Sequence, residues 1–78
     1  MGQITIKYGD DAYVWQDGDV VNEISSSMAL SITTASNQLL TLRVFETQAE
    51  AAAARAKLVE KIAYGLGNGD IIIDIDDF

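Results

Sequence analysis

The chain has 78 residues, a net charge of -7 from five Lys plus Arg against twelve Asp plus Glu, and no Cys, His or Pro. The missing Cys and His exclude disulfides, thiolate nucleophiles, imidazole acid–base chemistry and the usual zinc sites. The shortage of cations weighs against direct nucleic-acid binding, because phosphates are held by Lys and Arg.

With 49% hydrophobic and 22% charged residues, the chain reads as one globular domain spanning 1–78. A domain of this size buries only about 60% of its unfolded surface, so a partner subunit is a natural source of stability, and a homodimer is expected. No stretch has the length of a membrane span, and the start carries no secretory pattern. Met1-Gly2 begins like a myristoylation signal, but Ile6 stands where Ser or Thr is required. The expected location is the cytoplasm.

Gln3 to Tyr8 alternates polar and apolar residues, as a half-buried strand does. Gly9-Asp10-Asp11 signals a turn, and Ala12 to Gln16 returns as the second arm of a hairpin. Asp17-Gly18-Asp19 is a further turn, and Val20 to Ile24 fits either a short strand or an irregular crossing. Met28 to Thr33 alternates again, with Met28, Leu30 and Ile32 on one face. After turn residues at Ala35 to Gln38, Leu39 to Glu46 reads as a strand. Leu40, Leu42 and Val44 share one face, and Leu39, Thr41, Arg43 and Phe45 the other.

Thr47 and Glu50 form a capping box, in which each side chain satisfies the other residue's free amide. Helix formers run from Gln48 to Tyr64, and Gly65 is the expected left-handed C-terminal cap. Ala51, Ala54, Leu58, Val59 and Ile62 gather on one side, with Glu50, Lys57, Glu60 and Lys61 opposite. Ile71 to Ile75 reads as a last strand. Ile71, Ile73 and Ile75 share one face, and Ile72, Asp74 and Asp76 the other. The expected fold is α+β: one antiparallel sheet of four to five strands, packed against a single helix in the C-terminal half. Such a sheet has a free far face, which Tyr13, Trp15, Phe45 or Ile72 would occupy.

Eight of the twelve acids fall in clusters: Asp10-Asp11, Asp17-Gly18-Asp19, and Asp70 with Asp74, Asp76 and Asp77. Asp74 and Asp76 on a strand would face the same way within about 7 Å, as a hard cation requires. Turn chemistry and edge protection account for the same acids without a metal, and no metal or cofactor is expected. The remaining reading is an acidic surface for a basic partner. Arg55 lies inside the apolar stripe, and its head is expected to reach a carboxylate such as Asp74 or Glu46. Gly65, Gly67 and Gly69 lack the Lys and following helix of a phosphate loop. Ser25, Ser26 and Ser27 have no base beside them. No enzymatic activity is expected. Tyr13 and Trp15 on one strand are either core or an aromatic contact for a partner.

The run Leu42 to Ala51, the Ala-rich helix and Gly69-Asp70-Ile71-Ile72-Ile73 together resemble small proteins of bacteriophages and prophages. In these a strand ending in an aromatic residue and Thr feeds a capped helix and a short final strand. The resemblance covers the second half of the chain. A small acidic protein of such origin is similar to inhibitors of host defence, including anti-CRISPR proteins. The expected function is therefore a non-enzymatic protein-binding module, an inhibitor of a basic, nucleic-acid-handling partner. The expected partner-binding residues are Asp17, Asp19, Asp70, Asp74, Asp76 and Asp77, with Tyr13 and Trp15. The alternatives are a structural or oligomerisation module, or a symmetric oligomer that sequesters a small ligand.

Overall fold

The computed structural model describes residues 2–24 and 26–78. Met1 and Ser25, which figure in the myristoylation and hydroxyl-run readings, lie outside the described residues. The strands are β1 (Ile4–Tyr8), β2 (Asp11–Val14), β3 (Val20–Val21), β4 (Ala29–Thr33), β5 (Leu39–Val44) and β6 (Ile71–Asp74). One helix, α1 (Gln48–Leu66), separates β5 from β6.

The fold is α+β, but the strands form two three-stranded sheets rather than one larger sheet. The first has the order β2-β1-β6, with β2 antiparallel and β6 parallel to β1. The second has the order β3-β4-β5 and is antiparallel throughout. Helix α1 touches β1 and β6 of one sheet and β3 and β4 of the other, so it closes a core that both sheets share. Ile4, Ile6 and Ile73 enter that core from the first sheet; Leu30, Ile32 and Leu42 enter from the second. Ala51, Ala54, Leu58 and Ile62 line the buried face of the helix, and Val59 of the expected stripe is partly exposed.

The turn after β1 uses Gly9 at φ 57°, and the β4–β5 turn uses Asn37 at φ 67°, left-handed positions open to these residue types. The expected alternation along β5 fails at its end. A bulge sets an extra residue of β5 against the Leu30–Ser31 step of β4. Beyond it the faces exchange, so Phe45 is buried and Val44 is 69% exposed. Met28, expected to share a face with Leu30 and Ile32, precedes β4 and is exposed, while those two are buried.

Thr47 caps α1 as expected: its Oγ1 accepts from the Glu50 amide at 3.1 Å. The other end differs. Gly65 is helical and buried, and the cap is Gly67 at φ -103°, outside the left-handed region. The reason is packing. A Cβ on Gly65 would collide with the Ile71 side chain and crowd Ile4, so a bare backbone here lets the helix approach β1 and β6. Strand β6 stops at Asp74 and continues as a 3-10 turn, Ile75–Asp77. The expected pairing of Asp74 and Asp76 on one strand face is therefore lost. Instead the Asp74 carboxylate accepts from the Asp76 amide at 3.0 Å.

Candidate protein-binding surface

The loop after β2 is organised around Asp19, which is only 7% exposed. One carboxylate oxygen accepts from the Tyr13 hydroxyl at 2.5 Å and the Gln16 amide at 2.8 Å. The other accepts from the Ala35 amide at 2.8 Å, in the turn between β4 and β5. Asp19 thus ties the edge of the first sheet to the hairpin of the second. Burial alone would raise its pKa, but the Tyr13 hydroxyl and the two amides outweigh burial and hold the carboxyl below its ordinary value. Tyr13 responds in the opposite sense. Its hydrogen bond to Asp19, then burial, then the nearby negative charge push the phenol up to about 12.

This geometry corrects the expectation that Asp19 belongs to an exposed acidic patch, since its acceptors are already used inside the protein. Tyr13 is half-buried and engaged with Asp19, and Trp15 is half-buried against the core. Register explains both: Ile6 pairs with Tyr13, and the Trp15 amide donates to the Ile4 carbonyl, so these side chains follow Ile4 and Ile6 inward. Of the four residues expected on the free face, only Ile72 is there; Phe45 is buried. Asp17 alone of the early acids in the site remains exposed, beside a shallow hollow lined by Gly2, Trp15 and Leu66.

The later acids stay at the surface. Asp70, Asp76 and Asp77 are exposed and Asp74 is half-buried. Sheet register sorts them by end. Asp74 pairs with Lys7 of β1, and the next residues of β1 lead into the turn at Asp10 and Asp11. Asp10, Asp11, Asp74, Asp76 and Asp77 therefore gather at one end of the first sheet. Asp70 and Asp17 lie at the other end, on either side of the start of β1: the Gln3 amide donates to Asp70 Oδ1 at 2.7 Å. The structure thus does not merge Asp17 with the Asp74–Asp77 cluster.

The two arginines are directed inward. Arg55 is 4% exposed and donates to the Ser27 and Ala29 carbonyls at 3.1 and 3.3 Å, not to the carboxylates of Asp74 or Glu46. The chain entering β4 brings these two carbonyls within reach of Arg55 on α1, and buried carbonyls need donors. Arg43 donates to the Ile75 and Phe78 carbonyls at 3.3 and 3.1 Å, and its guanidinium lies 4.8 Å from the Phe45 ring centre. With both guanidiniums bound to carbonyls, the surface acids are left with three lysines as mobile countercharge.

A groove that the sequence reading did not anticipate runs between β6 and α1. It is lined by Ile71, Ile72 and Ile73 on the strand and by Lys57, Glu60, Lys61 and Tyr64 on the helix, with a volume of about 490 Å³. The sequence signal for it was three consecutive Ile residues flanked by Asp. Only the placement of β6 at a sheet edge turns that signal into a surface.

Comparison with family models, with curated proteins and with solved structures finds no match for the chain. No helix among the described residues is long and apolar enough to cross a membrane.

Proposed function

We propose that the chain is a non-enzymatic binding module that engages a basic protein surface through the acids flanking β6. The observation that carries the reading is the sorting of Asp10, Asp11, Asp74, Asp76 and Asp77 to one end of the first sheet, while both arginines are bound to internal carbonyls. Carboxylates held on a rigid sheet present a fixed negative field, which accelerates encounter with a cationic partner. A surface that binds phosphates has this complementary character. The target in this reading is a nucleic-acid-handling protein, and the module acts as a phage-type inhibitor of it. The resemblance of the second half of the chain to phage proteins implies a mobile-element origin and assigns no residue a role.

A homodimer is compatible with this role because the other sheet offers a separate edge. Strand β5 carries Leu39 and Val44 exposed and contains no acid, so two copies can meet along it without opposing carboxylates. The test of function is kinetic. A partner captured from the native host is measured against the parent and against the triple variant Asp74→Asn, Asp76→Asn and Asp77→Asn. The variant folds normally and associates more slowly, with the difference shrinking at high salt. Equal association rates for the two proteins would reduce the acids to solubility devices.

A further inference from the structure

We infer that the free edge of β6 is a strand-addition site for an extended peptide segment of a partner protein, with basic residues spaced to meet Asp70 and Asp74. The inference rests on the acidic-surface reading above and gives it a binding mode.

Among the described residues, strand β6 bonds only to β1. The Ile71 amide donates to the Gln3 carbonyl at 3.0 Å, so it points toward β1. Amides alternate in direction along a strand, so those of Ile72 and Asp74 point away from β1, toward the open edge. Side chains alternate as well. Ile73 is buried under α1, whereas Ile72 is 70% exposed on the outer face with Thr5 beside it. Asp70 and Asp74 lie two residues before and two after Ile72. They therefore bracket it on that outer face, about 13 Å apart at strand spacing. Each carboxylate is held through Oδ1, Asp70 by the Gln3 amide and Asp74 by the Asp76 amide.

These features define the occupant. An antiparallel segment centred on Ile72 places its central residue beside Ile72 on the outer face. Its second neighbours on either side stand opposite Asp70 and Asp74, where Lys or Arg completes a cross-strand pair. Its first neighbours point the other way, into the groove walled by Tyr64 and the stems of Lys57 and Lys61. That wall sets the ammonium groups of Lys57 and Lys61 against the one carboxylate of Glu60, so it favours apolar side chains over basic ones. The preferred pattern is basic, apolar, any, apolar, basic, and a one-residue slip reverses every choice. A second copy of this chain fits poorly, because antiparallel pairing of β6 with itself sets Asp70 against Asp74 twice. The acids that discourage self-pairing select a cationic strand.

The experiment uses the full chain and the capped peptide Lys-Val-Thr-Val-Lys, with Glu-Val-Thr-Val-Glu and a Lys peptide N-methylated at its central residue as controls. Binding is followed by NMR, together with hydrogen exchange at the Ile72 and Asp74 amides. The Lys peptide is expected to bind and to slow exchange at both amides. The Glu peptide is expected to bind about tenfold more weakly, as two cross-strand charge pairs imply. The N-methyl peptide lacks the donor opposite the Ile72 carbonyl and puts a methyl group into the strand interface, so it is expected to bind far more weakly than its parent, and Ile72→Pro is expected to remove the site from the protein side. Binding of the N-methyl peptide as tight as that of its parent, or exchange at Ile72 unchanged on saturation, would overturn strand addition and leave side-on recognition by the acids standing. Equal affinity for the Lys and Glu peptides would instead overturn the acidic reading. No binding of the Lys peptide at about 1 mM, a very weak affinity, would also overturn strand addition.

Discussion

Replacing Asp19 with Asn tests whether the loop after β2 is held by a charge. The carboxylate accepts three hydrogen bonds, from the Tyr13 hydroxyl and the Gln16 and Ala35 amides, at a position 7% exposed. Bonds to a charged acceptor contribute about 1.5–3 kcal/mol each and neutral ones about 0.5–1.5. Asn keeps one oxygen and turns an amide group toward a donor. The loss of charge assistance on two bonds, about 2–3 kcal/mol, and of one bond altogether, about 1.5–3, should together cost about 3.5–6 kcal/mol. Asp17→Asn, two residues away and exposed, should cost less than about 0.5 kcal/mol. Urea unfolding followed by Trp15 fluorescence measures both. The pH dependence gives an independent check. The carboxyl of Asp19 is held below its ordinary value, so its contribution is complete above about pH 4, near its unfolded pKa, and fades as pH falls through the lower folded value. The Tyr13 pKa is raised from 10.0 to about 12, so that residue's contribution is complete below pH 10 and is lost as pH rises toward 12. Asp19→Asn should bring the Tyr13 phenol back toward 10.0, read by ultraviolet titration. A variant with unchanged stability and an unchanged tyrosine titration would refute the bracket.

Leu58 is wholly buried, and Leu58→Ala should destabilise by about 2–5 kcal/mol in the same unfolding assay; a loss under about 0.5 kcal/mol, typical of a surface site, would mean that another helix face packs on the sheets. Gly65→Ala gains about 1 kcal/mol in helix propensity but meets Ile71 and Ile4, and crowding of about 1–3 kcal/mol should leave it less stable than the parent. Light scattering at high micromolar concentration should give the mass of a dimer, and Val44→Lys on the β5 edge should return a monomer; a parent that scatters as a monomer refutes the pairing.

The elements were legible because their local chemistry is strong. The capping box at Thr47 and Glu50, the alternation in β1 and the turn residues at Gly9 and Asn37 each specify structure from a few neighbouring side chains. The grouping of strands into two sheets was not legible, because it depends on which strand takes the place beside β1. The parallel pairing of β6 with β1 joins residues more than sixty positions apart, and no local pattern encodes that choice. Val44 and Phe45 exchanged faces for a similar reason: a bulge opposite Leu30 is one extra residue, invisible in a period of two. Glycine ends helices often, so the local pattern makes Gly65 a cap. Its reason for being glycine lies across the core, at Ile71 and Ile4.

The candidate site divides along the same line. Charge was legible as a total but not as a location. Asp17 and Asp19 look alike in sequence, yet Asp19 faces the Ala35 amide and is buried while Asp17 faces water. The deciding factor is the neighbouring hairpin, which supplies donors at one position and not at the other. The same rule governs the cations. Arg55 and Arg43 sit where carbonyls at the start of β4 and in the C-terminal turn need donors, so their charge is spent on the fold. A buried carboxylate and a buried guanidinium each need partners that backbone groups provide here, and neither needs the other. The acids near Lys7 are thereby left without an arginine partner, and they flank β6, whose outer amides have no ladder partner among the described residues. Negative charge and unpaired backbone thus meet at β6 as a consequence of how the two sheets share one helix, and either feature without the other would favour a different occupant.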